Sequence, residues 1–262
     1  MTTVHTFASG SSGNALLISH NGTHLLLDAG ISCRRIVTSL RELGLTPADL
    51  SGILITHTHS DHISGLPNLL KKHPVPVYSS QRAARELGYR LPAIEDLLCP
   101  VVPGGSFTVG RCLVTCFPTS HDAPGSCGYR VEGVGVLTDT GYVTEEARSV
   151  LLGVPLLVLE ANHDVETLCS GPYPAYLKQR ILGGEGHLSN EDAAAFAAEA
   201  AQSGTQEIIL AHLSRENNTP VMARDAVARA LAPLEFEVRL SVAPRDTMSS
   251  CYTVMEATPC RK

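Results

Sequence analysis

Four side chains able to bind a metal fall within six residues, His57-Thr58-His59-Ser60-Asp61-His62. The apolar run at 52–56 reads as a short buried strand, and residues 63–70 have helical spacing. A strand end feeding a loop and then a helix is a stiff place from which to aim side chains at one point. His57 and His59 project to the same side of an extended segment, while Asp61 and His62 fall where the loop turns into the helix. That layout suits two neighbouring metal ions better than one. Three further candidates stand just after predicted strands: His121, Asp139 and His212. A lone histidine at a strand end is usually structural. Several such residues in a chain that already carries a His/Asp cluster favour a shared site.

The elements that must position these groups alternate. Strands are expected at 4–8, 15–19 and 24–30, with Asn21-Gly22 as a hairpin turn between the last two. A helix at 33–43 stops at Gly44, a strand at 75–78 follows the His-rich loop, and a helix covers 80–88. The middle is rich in strands, at 107–109, 112–117, 128–131 and 134–138. Beyond it come a strand at 156–159, helical stretches near Glu166 and at 176–182, and a helix at 190–202 capped by Ser189 with Asp192 three residues on. A strand at 207–210 and a helix at 219–231 complete the pattern. No linker interrupts it, so the reading is one α/β domain over 1–262, two sheets packed together with helices outside.

Composition sets limits. At 262 residues with 44% hydrophobic side chains, a sizeable core is available. No apolar stretch is long enough for a membrane span, and residues 1–7 have neither a basic nor an apolar signal region, so a cytoplasmic protein is expected. The eight cysteines (Cys33, Cys99, Cys112, Cys116, Cys127, Cys169, Cys251, Cys260) form no C-x-x-C pair, which excludes a zinc ribbon and points to free thiols. A net charge of −6 argues against nucleic-acid binding through overall charge, though not against a local basic groove.

The seven candidates fall in an order that resembles the ligand motifs of metallo-β-lactamase-fold hydrolases, with residues 57–62 matching H-x-H-x-D-H. By that resemblance His57, His59 and His121 hold one metal, Asp61, His62 and His212 hold a second, and Asp139 bridges both. The fold implied is an αββα sandwich with the site at one end of the sheets. Segments 8–14, 137–143, 160–164, 186–192 and 212–218 further resemble the YycJ/WalJ subgroup, and the likeness runs over essentially the whole chain. Members of that subgroup are regarded as bacterial 5′→3′ exonucleases acting on DNA, related to the β-CASP nucleases.

The implied chemistry is a dinuclear-metal phosphodiesterase using a metal-bridging hydroxide, with two divalent ions, zinc or manganese, lowering the pKa of bound water toward ~7. Asp61 could also aim that hydroxide. Glu160 closes an apolar strand, where it can orient His212 or form an ordinary ion pair. His187 precedes a capped helix and resembles the phosphate-contacting histidine of the β-CASP nucleases; a structural role is the alternative. The turn at 11–14 has residues small enough for close approach to a phosphate, or is a plain tight turn. Roles for Asn14, Asn162, His163 and Arg215 stay open, and His5, His20, His24 and His73 read as non-functional. The alternative activity is hydrolysis of a small thioester or lactone on the same fold. A non-catalytic module is disfavoured because no ligand of the set is missing.

Overall fold

The computed structural model describes residues 1–254. The first half runs β1 (Thr2–Ala8), β2 (Ala15–His20), β3 (Thr23–Leu27), α1 (Cys33–Glu42), β4 (Leu50–Leu54), α2 (Ser60–Ile63), α3 (Leu66–Lys72), β5 (Val77–Ser80), α4 (Gln81–Arg90) and β6 (Leu98–Val101). The second half runs β7 (Ser106–Val109), β8 (Cys112–Pro118), β9 (Cys127–Val131), β10 (Val134–Leu137), α5 (Glu145–Leu151), β11 (Leu156–Glu160), α6 (Val165–Ser170), α7 (Ala175–Leu182), α8 (Asn190–Gln202), β12 (Glu207–Ala211), α9 (Pro220–Leu231), β13 (Arg239–Val242) and β14 (Tyr252–Val254).

The strands make two seven-stranded mixed sheets, in the orders β14-β1-β2-β3-β4-β5-β6 and β13-β12-β11-β10-β9-β8-β7, so that β14 returns from the second half to join the sheet of the first. Antiparallel pairing at one end gives way to parallel pairing, from β3 to β6 in the first sheet and from β10 to β13 in the second. The carboxyl ends of these parallel strands are where helix connections leave room for a site.

Alternation along the central strands builds three layers of core. Leu16, Ile18, Leu25 and Leu27 meet Val114, Tyr129, Val136 and Val158 between the sheets. Leu17 and Leu26 turn the other way, under Ile36 and Leu40 of α1 and Leu66 and Leu69 of α3. Leu157, Leu159, Ile208 and Leu210 do the same beneath α5, α8 and α9. Burial on both faces explains why β11 and β12 read as unbroken apolar runs rather than alternating ones. The αββα sandwich is therefore as expected.

Four elements carry too weak a local pattern to be expected. These are β6, which contains Pro100 and lies at a sheet edge where a missing N–H is tolerated, the short edge strands β13 and β14, and α5, capped by Thr144. The thiols of Cys112, Cys116 and Cys127 are buried and all seven described cysteines are free, while Cys260 lies outside the described residues. Among the described residues no helix is long and apolar enough to cross a membrane.

Candidate functional site

Five strand ends deliver the site. Asp28 follows β3, His57 follows β4, Asp139 follows β10, Glu160 ends β11 and His212 follows β12. Asp28, Asp139 and His212 have φ of 60°, 57° and 56°, a region that residues with a Cβ seldom adopt. Each strand thus ends in a sharp left-handed turn that throws its side chain toward the same point. Backbone strain gathered around one cluster is a mark of function rather than of folding.

The His-rich loop is clamped by main chain. The Asn14 N–H donates to the Asp61 carbonyl and the Ala29 N–H to the His62 carbonyl, each at 2.8 Å, while the Gly65 N–H closes onto Ala29. Gly30 makes this approach possible, because a Cβ there would lie 1.6 Å from the Asp61 carbonyl oxygen. Gly30→Ala is expected to cost about 2–3 kcal/mol of overpacking, a drop in Tm of roughly 5–10 °C. Thermal denaturation of the variant checks this, and an unchanged Tm contradicts it.

All nine expected site residues come together in overlapping groups: His57, His59 and His121; Asp61, His62 and His212; and Asp139 with either His57 and His62 or His187, Glu160 and His212. The ring nitrogens sort themselves by their partners. His57 Nδ1 lies 3.0 Å from the Thr56 hydroxyl, His62 Nδ1 2.7 Å from Asp28, His121 Nδ1 3.0 Å from the Gly186 carbonyl and His212 Nδ1 3.0 Å from Glu160. Those bonds assign the Nε2 atoms to the centre. His59 is reversed, with Nδ1 3.3 Å from His121 Nε2. His57 Nε2, His212 Nε2 and Asp139 Oδ2 are buried without a hydrogen-bonding partner. Buried polar atoms are rarely left so, and lone pairs of this kind converging on one space suit divalent cations. The donors, imidazoles and carboxylates with no thiolate, fit zinc or manganese.

Charge is balanced tightly around these rings. Burial alone would strip the proton from His62, yet Asp139 and Asp28 beside it raise its pKa to about 10. His212 is likewise pushed down by burial and raised well above its usual value by Asp139, Asp61 and Glu160. His57, buried among His62, His121 and His59, is held far below its usual value. Burial lifts the Asp61 carboxyl, but the His212 and His62 imidazoles beside it outweigh that and hold it well below the carboxylate range. The carboxylates beside His62 and His212 thus favour their protonated forms, with which a metal ion must compete. Metal uptake at neutral pH is expected to release protons and to weaken as pH falls. Calorimetric titration in buffers of different ionisation heat measures the count; uptake independent of buffer would contradict it.

Glu160 is fully buried and does more than was expected of it. Its Oε1 lies 3.0 Å from His212 Nδ1 and 2.8 Å from His187 Nδ1, while Oε2 accepts the N–H of Thr140 and Leu188. Asn14 also reaches the centre. Its Oδ1 accepts the Gly10 N–H, and Nδ2 lies 3.0 Å from His62 Nε2. The turn before it is closed by Gly13 N–H to the Gly10 carbonyl. Asn162 ties the His212 carbonyl, Arg215 is exposed on the loop after β12, and the buried His163 ring stands outside the metal-binding groups. His20 and His24 pair with Thr2 and Ser19 away from the site. Sequence reasoning missed Asp28, although it carries the same signal as Glu160, an acid directly ending an apolar strand.

Comparison with known proteins bears on the family and the fold. The family described as beta-lactamase superfamily domain matches residues 23–213. Exodeoxyribonuclease YycJ of Bacillus anthracis is 38% identical over 92% of this chain and 93% of its own length. Exodeoxyribonuclease WalJ of Streptococcus pneumoniae is 38% identical over 94% of each chain. Among solved structures, the metallo-beta-lactamase fold protein YhfI from Bacillus subtilis superposes with a TM-score of 0.70 at 17% identity, covering 95% of this chain and 98% of that one. The Zn²⁺-bound PqqB from Methylobacterium extorquens gives 0.72 at 17% identity, covering 95% and 100%. At such identities the two structures bear on the fold alone.

Proposed function

Since the chain belongs to the metallo-β-lactamase-fold hydrolase family, we propose that it is a two-metal phosphodiesterase that removes nucleotides from the 5′ end of DNA. The observation that carries this reading is likeness along nearly the full length to two relatives named exodeoxyribonucleases. The complete set of seven clustered donors supports it.

His57, His59 and His121 would hold one ion, Asp61, His62 and His212 a second, with Asp139 between them. Divalent ions supply Lewis acidity and a water activated near neutral pH. The remaining work belongs to the protein. Asp61, kept ionised by the two imidazoles it touches, accepts a hydrogen bond from the attacking water and aims it at phosphorus. As that water adds, the bond from phosphorus to the 3′-oxygen of the terminal nucleotide breaks. His187 is tied at Nδ1 by Glu160, so Nε2 is the ring atom available to a phosphoryl oxygen. Its ring is partly exposed, unlike the buried ligand His212 beside it. Glu160 thereby orients one residue on each side of the reaction, the ligand His212 and the substrate-facing His187.

Arginines on α4 offer local positive charge within the acidic chain, with Arg90 paired to Glu86, and with Glu95 lining the groove beside them. Arg82, Arg85, Tyr89 and Arg90 are exposed on α4, and the Arg90 guanidinium donates to the Thr58 carbonyl inside the His-rich loop at 2.5 Å. A groove of about 670 Å³ runs beside Arg85 and Tyr89. Arginines for phosphates next to an aromatic ring for a base suit a single strand. The test is release of mononucleotides from 5′-phosphorylated double-stranded DNA with added manganese, run beside a generic thioester. Metal-dependent release from the 5′ end is expected. Faster turnover of the thioester than of DNA would move the assignment to a small-molecule hydrolase.

A further inference from the structure

Four of the five histidines at the centre have their outward nitrogen fixed, by Thr56, Asp28, the Gly186 carbonyl and Glu160. The fifth, His59, is the least enclosed, with 34% of its side chain exposed, so packing alone does not set its rotamer. Its ring is also turned around, Nδ1 inward, which leaves Nε2 as the outward atom. The group facing that atom is Asp122, whose Oδ1 lies 3.5 Å away and at the same distance from Nε2 of His121, the other imidazole assigned to the first ion.

Asp122 is itself held. Arg180, on α7, grips it with both ends of the guanidinium, Nε to Oδ2 at 2.5 Å and Nη2 to Oδ1 at 3.1 Å. The Asp122 N–H donates to the Glu185 carbonyl, which pins the backbone of the loop after β8 to the segment following α7. A forked arginine pair of this kind fixes direction as well as charge. We infer that the Arg180–Asp122 pair is the positioning device for His59, accepting Nε2–H so that the Nδ1 lone pair faces the first metal. The inference rests on the metal-site reading above. It assigns a role to a residue that neither the ligand motif nor its spacing marks, and it brings α7 into the site.

The experiment is titration of the metal-free protein with Co²⁺, followed by visible absorption and by metal content after gel filtration. Asp122→Ala is expected to weaken one of the two ions by roughly 10–100-fold and leave the other unchanged. The Tm of the metal-free variant should match wild type, because Asp122 lies at the surface edge of the site. Asp122→Asn retains an oxygen that can accept Nε2–H and should recover part of the loss, and Arg180→Ala should shift the same ion by a smaller factor. Wild-type binding of both ions by Asp122→Ala would overturn the inference. So would equal weakening of both ions with a lowered Tm, which marks a structural residue. A wild-type protein that binds no cobalt would overturn the metal reading along with it, an outcome visible before any variant is made.

Discussion

Asp139→Ala is expected to lower nucleotide release from 5′-phosphorylated DNA by roughly 10³-fold or more, about 4 kcal/mol of transition-state stabilisation. Among the described residues no other carboxylate stands so evenly between the two groups of donors. One of its oxygens is 3.8 Å from His121 Nε2, the other 3.3 Å from His62 Nε2, and His212 Nδ1 lies at 3.5 Å. In the two-metal reading, removing it would take away the anion between two cations. The fall should therefore come with loss of bound metal, measured as ions per chain. Alanine has a second cost here, because Asp139 sits at φ 57°, where an aspartate or asparagine is tolerated better than a plain Cβ. Asp139→Asn separates the two effects: it suits the turn, matches the shape and removes only the charge. Both variants should lose release, with only the alanine losing a further margin of Tm. Release at the wild-type rate by Asp139→Asn would remove the two-metal phosphodiesterase from consideration.

How much of this could be read beforehand depended on how local each signal was. Residues 57–62 announce themselves because four donors share one loop, and their geometry needs only a strand before and a helix after. His121, Asp139 and His212 are far apart in sequence, but each follows an apolar run, and strand ends at the carboxyl edge of a sheet are where a site can form. Glu160 and Asp28 carry the same local mark, an acid at the end of a buried strand. Glu160 is linked to His212 because it closes the apolar strand at 156–159, whereas Asp28 stands inside a run, 24–30, that reads simply as strand. Its partner His62 is 34 residues away, and nothing in the spacing shows that β3 and β4 are neighbours. Asp122 was hidden for a different reason. An acid beside a histidine on a loop looks like solvent-facing charge until α7 brings Arg180 to it. The same holds for β14, three residues long, whose place is set only by β1 some 250 residues earlier.

Glu160→Gln is expected to lower turnover by about 10–100-fold and Tm by several degrees, although it changes one atom and the side chain never touches substrate. The carboxylate has four neighbours that all need an acceptor: the N–H groups of Thr140 and Leu188 on one oxygen, the Nδ1 atoms of His187 and His212 on the other. Glutamine offers one oxygen and one amide NH₂. If the NH₂ faces the backbone, two buried N–H donors are opposed by a third, at about 1–3 kcal/mol for the unsatisfied groups. If it faces the imidazoles, His187 and His212 must give up their Nδ1 protons to accept from it. Nε2 of His212 is then protonated in the space where a cation should bind, and the Nε2 of His187 changes its role as well. The group has no water to turn to, since Glu160 is fully buried. Either orientation thus damages both the fold and the site, which distinguishes Glu160 from an ion pair at a strand end, where the same change would move neither metal affinity nor turnover. Measuring metal affinity, turnover and Tm together on Glu160→Gln decides between them, and a Tm loss with metal binding and turnover intact would reduce Glu160 to a structural acid.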